Sequence, residues 1–336
     1  MTLREISSWK FGFYRGLLPA LRALGPARAD AVLDMLGRST ANLWAPHRWK
    51  LASALAEIRA GLQYDGSRSN RLEVDWDDDL LAPELAVGCL RFLARDYLLE
   101  THDDAQALAL FDTTGSEEFM TAIRENRGVV LVGSHFGAHI AAFHWLYREE
   151  TPLRLMVQRP RHVSRALDRY FDRDEPEPQA DFFLARRMEP ASCVARILAA
   201  RGALRGGKAV YLAGDIPWSG PNGRPGRFLG QTRRLLSVWA DLAAITGAPV
   251  FHVFCSHRPG GRFALALEPA GHVASGDEQV ALNRYLARLE AVIAANPTDA
   301  VGHALWPCYG RPAPSPSSAV ASTRPSRRAA AIPFSG

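Results

Sequence analysis

From Gly128 onward the chain alternates short apolar runs with helical stretches, and this alternation limits its fold more than any other feature. Residues 129–132, 153–157, 209–213 and 249–254 are four to six residues long and almost wholly apolar. Strands buried on both faces look like this, because a parallel sheet is covered by its own crossover helices. The stretches 138–147, 163–170, 192–204 and 235–246 carry the helical spacing that such crossovers need. His257-Arg-Pro-Gly-Gly261 before residues 262–268 reads as a hairpin with a Gly-Gly turn. A last helix, 278–295, is stopped by Asn296-Pro297. The fold class expected is α/β, a mixed, mostly parallel sheet flanked by helices and preceded by a helical N-terminal section.

That opening section runs to about Asp112. Residues 29–36, 49–62 and 81–99 place apolar side chains three and four apart among Ala, Leu, Arg and Glu. The division expected is 1–112 helical and membrane-facing, 113–310 an α/β core, and 311–336 a disordered tail of Pro, Ser, Ala and Arg with little to bury. The acidic stretch Glu73, Asp75, Asp77, Asp78, Asp79 lacks the Gly and terminal Glu of a calcium loop and reads as a solvated turn and helix N-cap. Residues 1–50 hold eight basic side chains against three acidic ones, together with Trp9, Phe11, Phe13, Tyr14, Leu17 and Leu18. Basic, aromatic and aliphatic residues in one segment suit the headgroup boundary of an anionic membrane, while the plainer reading is a helix packed on its own domain. Nucleic acid is not expected, since no zinc spacing, RNP-like stretch or helix-turn-helix pattern accompanies the charge. Four scattered cysteines without a C-x-x-C pair point to a reduced compartment. Residues 11–24 are interrupted by Arg15, Pro19 and Arg22, so no spanning helix or cleaved signal is expected there.

The densest local signal is Val129-Val-Leu-Val-Gly-Ser-His-Phe-Gly-Ala-His139, a strand running through Gly133 and Ser134 into a helix. His135 thereby falls at the carboxyl end of a strand, where open α/β sheets hold their ligands. Gly-Ser-His-Phe-Gly is not a G-x-S-x-G nucleophile elbow, and no G-x-G-x-x-G or Walker A loop occurs, which argues against dinucleotide and P-loop enzymes. Ala209-Val-Tyr-Leu-Ala-Gly-Asp215 repeats the design, with Gly214 and Asp215 at a strand end before a Gly-rich loop, 219–230. Arg159 follows the run 153–157 in the same way. A histidine, an arginine and an aspartate at successive strand ends make a candidate site.

Gly-Ser-His-Phe-Gly, then Arg159-Pro160, then Gly214-Asp215 with Arg227-Phe-Leu-Gly230, then Ile245-Thr-Gly-Ala-Pro-Val250, taken in order, resemble the lysophospholipid acyltransferase superfamily. Within it the bacterial lauroyl/myristoyl acyltransferases of lipid A biosynthesis are most similar, and the closing helix 285–297 is similar to their C-terminal signature. The resemblance covers roughly residues 44–306. It implies a peripheral enzyme on the cytoplasmic face of the inner membrane. Such an enzyme moves a fatty acyl chain from an acyl carrier protein or coenzyme A thioester to a hydroxyl or amine of a membrane lipid or glycolipid, with no further cofactor. A metal is not expected on the residues themselves, since His135 and His139 are only two ligands without an H-E-x-x-H glutamate between them. The resemblance also implies a catalytic pair, H-x-x-x-x-(D/E), whose histidine takes the acceptor proton. His135 fits the first position, with Ser134, Gly137, Gly214, Arg159 and Arg227 as substrate-binding candidates.

The acid position is Ile140. Three readings stand at this point: a weakened or inactive homologue that binds lipid or acyl carrier, an active enzyme whose histidine is oriented by another group such as Asp215, or a changed site using His135 with His139. An acyltransferase acting on a secondary metabolite would keep the fold and donor and change the acceptor.

Overall fold

Apolar residues at helical spacing do become helices through the first hundred positions of the computed structural model, which describes residues 12–64, 72, 74–100, 102–156, 190–218 and 223–305. A π-helical turn, Phe13–Leu17, leads into α1 (Leu18–Leu24), α2 (Pro26–Leu43), α3 (Ala45–Gln63), α4 (Asp78–Leu99) and the short α5 (Asp104–Leu108). Prolines in the first turns of α1, α2 and α3 supply a fixed φ where the backbone N–H has no helical partner to lose. The acidic stretch caps α4: the Asp77 carboxylate accepts the amides of Asp79 and Leu80, and Asp78 pairs with Arg59. Phe13, Leu18 and Leu21 are buried with Ala29, Leu33 and Ala94. The apolar face of this segment is therefore turned inward onto α2 and α4; Trp9 and Phe11 lie outside the described residues.

Six strands form the main sheet: β1 (Phe111–Thr114), β2 (Val129–Gly133), β3 (Leu153–Leu155), β4 (Ala209–Ala213), β7 (Val250–Arg258) and β8 (Arg262–Gly271). Their order is β1-β8-β7-β2-β4-β3, parallel except for the β7–β8 hairpin. The helices α6 (Ser116–Arg124), α7 (His139–Arg148), α8 (Pro190–Arg205), α9 (Val238–Thr246) and α10 (Glu278–Ala295) cover it. Every residue of β2 and β4 is buried. Successive side chains go to opposite faces: Val130, Val132, Val210 and Leu212 join one core with α9 and α10, and Val129, Leu131, Ala209 and Tyr211 join another with α6 and α7.

Three sequence expectations are corrected. The helical section was expected to run to Asp112, but Phe111–Thr114 pairs with β8 as an edge strand, too short to register as a pattern. Residues 223–228 of the expected Gly-rich loop are strand β5 (Gly223–Phe228), paired antiparallel with β6 (Gln231–Leu236). Helix 235–246 begins at Val238, because Leu235 and Leu236 are taken into β6. The expected helix 163–170 and the tail 311–336 fall outside the described residues.

Two histidines are buried without charge. His144 on α7 accepts a hydrogen bond at Nδ1 from the Arg148 guanidinium (2.8 Å), and burial, then Arg148, push its pKa down to about 3. Burial likewise takes His252 on β7 down to about 4. In the unfolded chain both imidazoles gain a proton near their ordinary value of 6.5, so below that pH the unfolded state binds more protons and stability falls. The thermal midpoint is expected to drop steadily from pH 6.5 toward pH 4, each histidine contributing about 1 kcal/mol per pH unit. A midpoint that stays flat across that window in a pH series would contradict this protonation assignment.

Candidate active site

The in-register pairing of two adjacent parallel strands brings the site together. Gly133 of β2 lies opposite Ala213 of β4, so two residues beyond the strand ends His135 falls opposite Asp215. The Asp215 carboxylate accepts from the His135 ring at Oδ1 (Nδ1 at 3.0 Å) and from the His135 backbone N–H at Oδ2 (2.8 Å). Oδ2 also accepts from His303 Nε2 at 2.9 Å. His303 belongs to α11 (Val301–Leu305), which follows a 3₁₀ turn, Pro297–Asp299.

Asp215 and His303 are buried, whereas the His135 side chain is 23% exposed. Burial pushes the Asp215 carboxyl up, but the His135 charge and the hydrogen bonds from His135 and His303 overcome it and hold the group well below the usual carboxylate range. Asp215 is thus an anion, and an anion accepts from whatever faces it. His135 must carry a proton on Nδ1, so that in the neutral ring Nε2 is the nitrogen that holds the basic lone pair.

The turn carrying His135 is clamped from behind. Gly137 has φ +54°, and a Cβ there would fall 2.2 Å from the Cys255 carbonyl oxygen, so glycine is required. The Gly137 amide donates to the Asp299 carbonyl (2.8 Å) and the Ala138 amide to that of Cys255 (2.7 Å). Asp299 is itself held by His257: the backbone N–H and ring Nδ1 of His257 meet the two carboxylate oxygens at 3.0 and 2.8 Å, the pattern of His135 on Asp215.

The other sequence candidates are placed differently. His139 opens α7 with its ring tilted against that of His135, centroids 5.2 Å apart, and against Phe92. Ile140 is buried in the apolar core with Leu131, Phe143 and Leu265. Ser134 is buried and its Oγ accepts the Phe136 amide at 3.4 Å. Gly214 donates its amide to the Gly133 carbonyl, and the Tyr285 ring fills the space beside its Cα. Arg227 sits over the Tyr64 ring and donates to the Tyr64 carbonyl. Arg159 lies outside the described residues, and β3 ends at Leu155.

Beside His303 lies a cavity of about 490 Å³, walled by α3, the β5–β6 turn and α11. Ala54, Ile58, Leu229 and Ala304 give it an apolar side, and Glu57 and Arg233 a polar one. Sequence reasoning missed both this cavity and His303. A histidine inside Val301-Gly-His-Ala-Leu305 carries no spacing that marks it, and only the return of α11 to the sheet end brings it to Asp215.

A family model described as bacterial lipid A biosynthesis acyltransferase matches residues 91–301, more than half of the chain and the whole β2–β4 site. The protein belongs to that acyltransferase family. Comparison with curated protein sequences gives no match.

Proposed function

We propose that this protein transfers a fatty acyl chain from an acyl carrier protein or coenzyme A thioester to a hydroxyl or amine of a lipid or glycolipid acceptor. One observation carries the reading. An anionic, buried Asp215 holds the Nδ1 side of a partly exposed His135 ring, which assigns the basic lone pair of the neutral imidazole to Nε2. As the acceptor oxygen or nitrogen bonds to the thioester carbonyl carbon, Nε2 takes its proton, and Asp215 stabilises the imidazolium that forms. As the carbonyl re-forms the thiolate leaves and takes that proton from Nε2, which regenerates the neutral imidazole. The family's expected acid at position 140 is replaced by one from the neighbouring strand. The cavity beside His303 falls in the size range of small-molecule sites and has an apolar wall for an alkyl chain.

The acceptor implies a lipid surface, at the cytoplasmic face of the inner membrane. Among the described residues no helix is long and apolar enough to cross a membrane. The side chains that support a peripheral contact lie at the α2–α3 corner: Leu43 is 87% exposed and Trp49 73%, with Trp44, Arg48 and Lys50 beside them in sequence. Exposed tryptophans among basic residues suit the headgroup region.

The test is to incubate the protein with radiolabelled acyl carrier protein or acyl coenzyme A and crude membrane lipid. Label moving into lipid is the expected result. A thioester bound but never turned over would establish the noncatalytic reading, and hydrolysis without lipid product would favour a different acceptor.

A further inference from the structure

We propose that His303 is a positioning residue of this site: by bonding Asp215 Oδ2 it holds the carboxylate in the one orientation that serves His135. The proposal rests on the acyl-transfer reading for its kinetic consequence, but not for its structural content.

A buried carboxylate beyond a strand end can rotate about χ2, and one partner does not fix it. Asp215 has donors on both oxygens. His135 supplies two, its ring to Oδ1 and its backbone to Oδ2. The ring bond comes from the group the carboxylate is meant to orient, and the backbone bond ties Oδ2 to the turn on one side only. His303 is the donor from outside the pair, at 2.9 Å and buried. Its own placement is secured by the T-shaped packing of its ring on Phe228, centroids 5.4 Å apart.

The segment that delivers His303 also holds the turn that carries His135. The Asp299 carbonyl accepts the Gly137 amide, and Gly302 lies so close that a Cβ on it would fall 2.7 Å from the His135 carbonyl oxygen. Residues 299, 302 and 303 therefore grip both halves of the pair. His303 also stands two residues past the segment matched by the family model. The groups facing this cluster are Asp215 and His135 at the strand ends, Tyr211 on β4 and Tyr285 on α10, both of which feel the Asp215 charge, and Glu57 and Arg233 across the cavity.

The experiment compares His303→Leu, His303→Gln and His303→Asn in the full chain. The readouts are the downfield proton resonance of the His135 Nδ1–H, assigned by its loss in His135→Gln, and steady-state kinetics with a dodecanoyl thioester. A Gln amide nitrogen reaches about where imidazole Nε2 lies, and that of Asn falls short. The expected result is that the Gln variant keeps the resonance and most of its turnover. Leu and Asn should broaden or shift the resonance and lower kcat about 10-fold at unchanged KM, less than the hundredfold or more that general-base catalysis itself supplies. A Leu or Asn variant that is folded and retains both the resonance and wild-type kcat overturns the inference. Should Leu fail to fold, the contrast between Gln and Asn decides, and Gln behaving no better than Asn counts against the proposal. If no variant, nor the parent, transfers acyl groups, the acyl-transfer reading fails while the resonance still judges the role of His303.

Discussion

Asp215→Asn should lower acyl transfer about 10⁴-fold with little change in donor binding, the loss seen when a catalytic imidazole is left in the wrong tautomer. Oδ2 receives two donors, the His135 backbone N–H and His303 Nε2, while Oδ1 receives one. The amide oxygen of Asn will settle where two donors converge, and its NH2 will then face His135 Nδ1. That nitrogen must become an acceptor, the ring proton moves to Nε2, and the base is gone. Because Asn is nearly isosteric, the fold should survive. Turnover within tenfold of the parent, in a variant of unchanged thermal midpoint, would show that Asp215 does not orient the base.

The second large effect is on stability. Ile140 occupies the position where the family pattern expects an acid, and restoring the pattern with Ile140→Glu should damage the protein without improving catalysis. The side chain is buried among Leu131, Phe143 and Leu265, and the His135 Nδ1 that a carboxylate would seek is already bonded to Asp215. A carboxyl group placed there costs roughly 2–5 kcal/mol through desolvation and the lost apolar contact. Denaturant titration should show the midpoint fall by that equivalent, with acyl transfer per folded molecule not exceeding the parent's. A stable variant with raised transfer would mean that the conventional pairing is available and the Asp215 arrangement incidental.

How much of this was legible beforehand depended on whether a feature was written in local sequence. The strands at 129–133 and 209–213 declared themselves because a strand buried on both faces is an uninterrupted apolar run. The closeness of His135 and Asp215 was accessible too, since two strands of matching design place residues at matching ends. The β5–β6 hairpin was hidden because its glycines and arginines read as a loop; it is held by pairing and by packing on α10, not by propensity. His303 could not be found from the chain alone, because its partner is 88 residues away and nothing in its neighbours announces polarity. Arg227 was named from its motif, and its guanidinium lies over the Tyr64 ring and donates to the Tyr64 carbonyl, contacts its sequence neighbours do not announce.

The most direct test of the central claim, that His135 is the base held ready by Asp215, is the transfer of radiolabelled acyl chain from acyl carrier protein to membrane lipid by the parent and by His135→Gln side by side. Transfer by the parent and none by the variant is the predicted result, with thermal midpoints alike because the ring is partly exposed and Asp215 keeps its bonds to His303 and to the residue 135 backbone. A folded His135→Gln protein that labels lipid at the parental rate would contradict the account.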